Sequence, residues 1–351
     1  MSWRFIQVTP QPARGAFDPS LLSSDEWVAE EKYDGDRRIA QFCSDVVRFT
    51  GRRASVKDGK FVERSAQVPH LSAAVFKNGA GSLLGMRALH LGAKGVMQIV
   101  RPPRRLDGTV LDGEMIVPVS LESMRGGKSK HVTSIIGSLP EEALWKQVER
   151  GWLRYAAFDC LWHKGHDVRG LPLFERRALL VEAVAAWGNP FAFVAPQSGA
   201  GDKAELLQRI WRRSGEGVIL KHVDHRYGQH LRWVKVKQVV HADVVVMGYK
   251  AARSSSQKVG GEVSAAKFSG QVGSIVFGQY VGRRLVAVGS TSGFDDELRA
   301  ELTRNGRRYV GRVMEISANG REPTGAFRHP QFSRWRDDKR ARECVQYEGE
   351  T

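Results

Sequence analysis

The sequence predicts an α+β chain of two domains: a first domain of largely antiparallel sheets with flanking helices, then a small β-barrel. Three observations predict it. Strand-like segments rich in β-branched and aromatic residues recur along the first 240 residues. Helical segments fall between them without the regular β-α alternation of a parallel sheet. Beyond about residue 240 the chain turns to strands separated by glycine-rich turns, with one helix, and 351 residues are enough for two domains.

Taken in order, "EWVAEEKY" and "RIAQFCSD" read as strands on either side of Asp34-Gly35, a hairpin signal. "DVVRFTGR", "GTVLDGEMIVPV", "LRYAAFDCLW", "EGVILKH" and "LRWVKVK" are further strands by composition, and "PEEALWKQVER" and "LFERRALLVEAVAAW" have helical spacing. "DKAELLQRIWRR" opens on Asp202 with Glu205 three residues on, which predicts a capping box. After residue 240, "HADVVVMGYKAA", "VGSIVFGQYV" and "RRLVAVGST" are strands, and "FDDELRAELTRN" is a helix stopped by Gly306. Several strands and one short helix in ~110 residues predict a barrel of the OB type. The boundary falls at 239/240. The stretch Ala251–Gln271, poor in apolar residues and rich in Ser and Gly, reads as a mobile loop. Residues 77–108 match no element type.

The composition, 42% hydrophobic and 26% charged, is that of a folded soluble protein. No apolar run is long enough for a membrane span, and the N-terminus has no signal-peptide core. Three scattered cysteines make neither a disulfide framework nor a zinc cluster, and point to a reducing cytoplasm. The net charge of +16 is spread over both halves and favours a polyanionic partner, nucleic acid above all.

Common phosphate cradles are absent. "GGKSK" at Gly126–Lys130 lacks the earlier glycine of a P-loop, where Glu122 stands, and "GEGVIL" fails the dinucleotide fingerprint at Leu220. The histidines of "HVDHRYGQH" (His222, His225 and His230, with Asp224) fit no strong metal spacing and read as a solvated loop. Strand alternation puts Asp112 and Glu114 on one face, and Lys235 and Lys237 on the face opposite Val234 and Val236. Such a wet lysine face is common over any core. Together with Glu216 and Lys221, however, it supplies cations and carboxylates of the kind that a triphosphate and a divalent metal need.

These segments, in this order, resemble the motifs of the ATP-dependent DNA ligases within the covalent nucleotidyltransferases. Lys32-Tyr33-Asp34-Gly35-Asp36-Arg37 matches K-x-D-G-x-R throughout. Arg52 in "FTGRRA" falls in a partial match to a Ser-Arg-x-Gly element, with Gly51 and Ala54 in place of the Ser and Gly. "LDGEMI", "AFDCLW", "GEGVILK" and "RWVKVK" match the elements D-G-E, F-D-x-L, E-G-x-x-x-K and W-x-K-x-K, and "RWRDDK" ends in R-x-D-K at Arg336, Asp338 and Lys339. The resemblance spans Glu30 to Lys339, and the few residues outside it suggest a minimal two-domain form, similar to phage and small bacterial ligases.

The resemblance implies an adenylation domain at 1–239 and an OB-fold domain at 240–351. It implies that Lys32 takes AMP from ATP, passes it to the 5′-phosphate of a nick in duplex DNA, and that the 3′-hydroxyl then seals the strand. A free lysine has a pKa of about 10.4, so presenting it as a neutral amine at pH 7 costs roughly 4–5 kcal/mol. Lys235 and Lys237 are the cations expected to lower that cost. By resemblance Phe158 stacks on adenine, with Glu30 near its amino group. Arg37, Arg52 and Glu114 approach ribose, phosphate or nick, and Lys221 joins Lys235 and Lys237 among the ATP-binding residues. Glu216, then Glu114, hold Mg²⁺, with Mn²⁺ as a substitute. Arg336 and Lys339 orient the pyrophosphate when the OB domain closes. The implied partner is nicked DNA bound chiefly through its backbone by a cytoplasmic monomer active in replication, repair or recombination. An RNA ligase, another covalent nucleotidyltransferase and an inactive nucleic-acid-binding relative are the alternatives.

Overall fold

The computed structural model describes residues 4–55, 58–73, 101–117, 128–213, 215–252, 270–322 and 324–346. The chain divides into two compact units, Met1–Val236 and Lys237–Thr351.

In the first unit the strands flanking Asp34-Gly35 belong to different sheets. β1 (Trp27–Glu31) pairs antiparallel with β10 (Gly217–His222) and with β9 (Gln197–Ser198), and β11 (Trp233–Lys237) completes a four-stranded sheet in the order β11-β10-β1-β9. β2 (Asp36–Cys43) instead pairs with β3 (Val46–Ala54) and β5 (Val110–Ile116). That second sheet continues through β4 (Phe61–Glu63), β6 (Arg154–His163), β7 (His166–Asp167) and β8 (Ala192–Val194), seven strands in all. The expected hairpin is therefore not formed: Asp34-Gly35 is a crossover between two sheets. Gly35 is required by contact rather than by turn geometry, because a Cβ there would stand 2.0 Å from the Met115 carbonyl oxygen and 2.8 Å from Glu114 Cγ. Only a residue without a side chain lets the crossover lie against β5.

Among the described residues of this unit the helices are α1 (Pro69–Ser72), α2 (Lys128–Ile136), α3 (Pro140–Arg150), α4 (Leu173–Trp187) and α5 (Lys203–Arg212). α4 and the neighbouring helices bury Leu180, Ala183 and Trp187 against Phe42, Phe49 and Tyr155 of the larger sheet, whose alternate residues form this core. α5 covers the smaller sheet, where Leu207 and Ile210 meet Ala29, Val218, Leu220, Val234 and Val236. The capping box expected at its start is not made. Asp202 ends a 3-10 turn with helical backbone and makes no side-chain cap, whereas an N-cap needs extended backbone to aim its carboxylate at the N2 or N3 amide.

The second unit carries β12 (Val240–Ala251), β13 (Val272–Val281), β14 (Arg284–Thr291), α6 (Asp296–Asn305), β15 (Val313–Ala318) and β16 (Gln331–Trp335). Its sheet runs β14-β13-β12-β15-β16. The two ends meet: Gly293, just past β14, bridges in parallel to Gln331, and the Phe332 amide donates to the Gly293 carbonyl at 3.0 Å. Val244, Val246, Ile275, Phe277, Met314 and Ile316 fill the inside. Asp295 caps α6, its carboxylate accepting from the Leu298 amide at 2.8 Å. The 251–271 stretch read as a loop lies, from 253 to 269, outside the described residues, as does most of 77–108. Among the described residues no helix is long and apolar enough to cross a membrane.

Candidate active site

A cavity of about 480 Å³ opens between the two sheets of the first unit. Its lining gathers residues far apart in sequence: Glu30, Lys32, Arg37 and Arg52; then Glu114, Thr133 and Phe158; then Glu216, Lys221, Trp233 and Lys235. Nine of the sequence-predicted residues are thus brought together, from β1, β2, β3, β5, β6, β10, β11 and the crossovers between them.

Lys32 follows the last residue of β1. Its amide donates to the Gly217 carbonyl at 2.8 Å, so the β1–β10 pairing runs one residue beyond the strand and fixes where the side chain leaves the sheet. The Lys32 ammonium then meets Glu216 Oε2 at 2.5 Å. Glu114 lies on the other wall. Burial pushes its carboxyl up to about 8, against the pull of the Lys32 and Arg37 charges. Lys235, exposed on the outer face of β11, also lines the cavity. Lys237, half-buried and two residues further on, does not line it.

Phe158 owes its position to an irregular ladder. Asp112 pairs with Asp159 and Gly113 with Ala157, which leaves Phe158 as the extra residue of a bulge in β6. A bulge re-aims the surplus side chain, and here it turns Phe158 into the cavity, edge-on to Trp233 with 6.0 Å between ring centroids. The neighbouring Gly113 is again a contact glycine: a Cβ would meet the Tyr155 ring at 2.5 Å.

The floor is ionic and tightly partnered. Lys221, 1% exposed, donates to Glu30 Oε2 at 2.6 Å and to the Phe158 carbonyl at 3.1 Å, and its ammonium lies 4.7 Å and 4.4 Å from the Phe158 and Trp233 ring centroids. Glu30 Oε1 accepts from Gln197 at 2.6 Å and from Arg177 at 3.4 Å. Arg37 grips the fully buried Asp112 with two bonds, 2.9 Å from Nε and 2.5 Å from a terminal nitrogen, and donates to the Gln11 carbonyl at 2.6 Å. Burial opposes the Arg37 charge, but the Asp112 carboxylate overcomes it and holds the guanidinium more firmly protonated than usual. Tyr227 donates to the same carboxylate at 2.6 Å and accepts from the Gln11 amide at 2.9 Å.

The histidines beside Tyr227 do not form the solvated loop that the sequence suggests. His222 and His225 are buried, and both ring nitrogens of His225 are used: Nε2 accepts from Trp233 Nε1 at 2.5 Å and Nδ1 donates to the His222 carbonyl at 2.9 Å. Burial, then the Arg176 charge, lowers His225 to about 3, so this neutral ring is a strut behind Trp233. Among the described residues no group of three or more His, Cys, Asp or Glu is arranged to hold a metal.

Sequence reasoning missed Pro12 and Ala13, which line the cavity from the N-terminal segment, and Thr133 of α2. None stands in a recognisable motif. Tyr227 lay within the stretch read for its histidines. Arg336 and Lys339 belong to the second unit, where both bond Asp243.

Comparison with known proteins bears on this site. A family model described as ATP dependent DNA ligase domain matches residues 96–237. The chain is 28% identical over 306 residues to a "Probable DNA ligase" of Anaeromyxobacter sp., covering 77% of this chain and 54% of that protein. It is 30% identical over 259 residues to a "DNA ligase" of Methanoculleus marisnigri, covering 66% of this chain and 42% of the relative. The chain thus spans about half the length of the curated relatives it matches. A solved structure described as "DNA binding with a minimal scaffold: Structure-function analysis of Lig E DNA ligases" shares the fold, with a TM-score of 0.57 at 19% identity over 94% of this chain and 100% of that one. Residues 96–237 thus match the ATP-dependent DNA ligase domain, and the chain is similar in sequence to curated DNA ligases and in fold to a Lig E ligase.

Proposed function

We propose that the protein seals nicks in duplex DNA at the expense of ATP, through AMP carried on Lys32. The observation that carries this reading is Lys32 itself: a lysine at the exit of a paired strand, in a cavity of about 480 Å³, with carboxylates at Glu114 and Glu216, a cation at Lys235 and an aromatic face at Phe158. A nucleoside triphosphate needs each of these: a stacking surface for its base, cations for its phosphates and a nucleophile at the α-phosphorus.

In this reading Lys32 attacks the α-phosphate and pyrophosphate leaves. The AMP then passes to the 5′-phosphate at the nick, and the 3′-hydroxyl displaces AMP to close the strand. Phe158 stacks on the adenine, and Glu30, held by Lys221, Gln197 and Arg177, sits at the floor on which the base rests. Arg37 and Arg52 face ribose, phosphate or nick, Lys235 and Lys237 neutralise phosphate charge, and Arg336 and Lys339 act on the leaving group. The donor set suits Mg²⁺, with Mn²⁺ as a substitute, since two carboxylates completed by phosphate oxygens and water are enough for that ion. Glu216 and Glu114 would hold it, and its charge would offset that of the phosphates.

Residues 1–239 act as the adenylation domain and 240–351 as an OB-fold domain. The second assignment is supported by the strand order β14-β13-β12-β15-β16, by the parallel bridge at Gly293 and Gln331 that joins its ends, and by α6, which lies between β14 and β15. The net charge of +16 suits a duplex held by its backbone, as befits a nick in any sequence context, with the protein a cytoplasmic monomer. The test is direct. The protein is incubated with α-labelled ATP or GTP and then given nicked DNA or nicked RNA. Label on the protein from ATP alone, followed by sealed DNA, is the expected result; label from GTP, or sealing of RNA only, overturns the reading.

A further inference from the structure

Asp243 stands in none of the motifs by which the chain was read, yet it organises the two cations at the end of the sequence pattern. It lies on β12 directly across from Glu315 of β15. Beyond β16 the chain turns back at Arg336–Lys339, with the Arg336 amide donating to the Val313 carbonyl at 3.0 Å and the Lys339 amide to the Arg336 carbonyl at 3.2 Å. Within this turn the Arg336 guanidinium takes Asp243 Oδ1 at 2.9 Å, and the Lys339 ammonium takes Oδ2 of the same carboxylate. Asp338 holds the opposite edge of the guanidinium at 2.9 and 2.8 Å, and Glu315 lies 3.5 Å from it while also accepting from Arg334. Asp337 is turned to Arg312 at 2.6 Å.

We propose that Asp243 is a positioning residue for Arg336 and Lys339, and that it makes them a preset dicationic clamp for the pyrophosphate end of a nucleoside triphosphate. The inference rests on the reading of the protein as an enzyme that adenylates Lys32. The physical reason is the bracket. One carboxylate, with one oxygen to each cation, sets the distance between the two, and it is the second unit's own β12 that supplies it. Lys339 is 36% exposed at its side chain and Arg336 15%, and long flexible cations lose rotamer freedom when an anion has to gather them. Asp243 removes that freedom before the anion arrives. It leaves donors over: the ammonium has three N–H groups and the guanidinium five, more than the bonds just described consume.

The test compares two half-reactions. Asp243→Asn keeps the shape and loses the charge, so single-turnover transfer of label from ATP to Lys32 is expected to fall about tenfold or more, as for other misplacements of a positioning group. Sealing of nicked DNA that already carries the 5′-adenylate releases no pyrophosphate and is expected to change less than about twofold, which a general loss of structure would not allow. Asp243→Glu, with the charge restored one methylene away, is expected to recover part of the first rate. In an Arg336→Ala background the Asp243→Asn change is expected to cost less than in the wild type, only the part that acts through Lys339 being left. Unchanged transfer of label in Asp243→Asn, equal losses in the two half-reactions, or full additivity with Arg336→Ala overturns the inference. Absence of label on the wild-type protein would instead overturn the reading of Lys32.

Discussion

Lys32 Nζ and Glu216 Oε2 lie 2.5 Å apart, across 184 residues of sequence. The ion pair ties the proposed nucleophile to the residue that precedes β10. Two outcomes are expected. Lys32→Arg keeps the positive charge and the ion pair but has no amine to adenylate, so no label is carried from α-labelled ATP to the protein. Glu216→Gln removes the carboxylate and is expected to lower the adenylation rate by about 100-fold or more, the usual scale for losing a charged active-site group. Label retained at wild-type level in either variant, measured by single-turnover incorporation, contradicts the arrangement.

Phe158 is half-exposed at a bulge, so its removal does not excavate the core. Phe158→Ala is expected to raise the ATP concentration needed for half-maximal adenylation by roughly tenfold or more, since a base stacked on an aromatic ring gains about 1–3 kcal/mol. Phe158→Tyr is expected to stay within about threefold of wild type. An alanine variant with unchanged ATP dependence would show that the base lies elsewhere.

Asp112 has no exposed side-chain surface and is the common partner of Arg37 and Tyr227. Asp112→Asn leaves the buried Arg37 charge without its counter-ion, and the cost is expected to be about 3 kcal/mol or more in the free energy of unfolding. Equilibrium denaturation in urea measures this; a midpoint within error of wild type would mean that the guanidinium finds another anion.

His70 gives stability a pH dependence of known sign. Its ring is buried between Trp152 and Phe191, Nε2 donates to the Leu153 carbonyl at 2.8 Å, and Nδ1 has no hydrogen-bond partner. Burial lowers it from about 6.5 to about 4. Between those values the unfolded chain binds the proton and the folded one does not, so unfolding is favoured as the pH drops. The stabilisation is complete above about pH 6.5 and is lost towards pH 4, at most about 3 kcal/mol for this group. His225 acts with the same sign. Thermal melts between pH 4.5 and 7.5 are expected to show a shallower slope in His70→Gln than in wild type. Parallel slopes would place the proton uptake at other groups.

The cavity was legible because its residues keep short local patterns: a lysine after a strand, two glycines beside acids, lysines alternating with valines. Each pattern fixes which way a side chain points, and nine of them converge. Pairing was not legible. The Asp34-Gly35 hairpin failed because alternation identifies a strand without naming its neighbour, and Gly35 answers to the Met115 carbonyl, a contact 80 residues away. The Asp202 capping box failed because a 3-10 turn entered the helix and set the backbone first. Gln11, Thr133, Tyr227 and Asp243 stayed hidden because their importance lies in what they touch, and no spacing records that. His222 and His225 were misread as wet because nothing local announces their burial, His225 under Trp233 and Arg176.

The bulge in β6 has a consequence for how the chain tolerates length changes. The ladder between β5 and β6 skips Phe158, pairing Asp112 with Asp159 and Gly113 with Ala157. Excising this one residue would leave both halves of the strand in their present register, with Tyr155 still in the core and Asp159 still beside Arg176. The sheet would close as though nothing were missing. Phe158 is therefore surplus to the β5–β6 ladder, one residue longer than that pairing requires, and its loss would be felt at the cavity floor, where its carbonyl takes Lys221 and its ring meets Trp233.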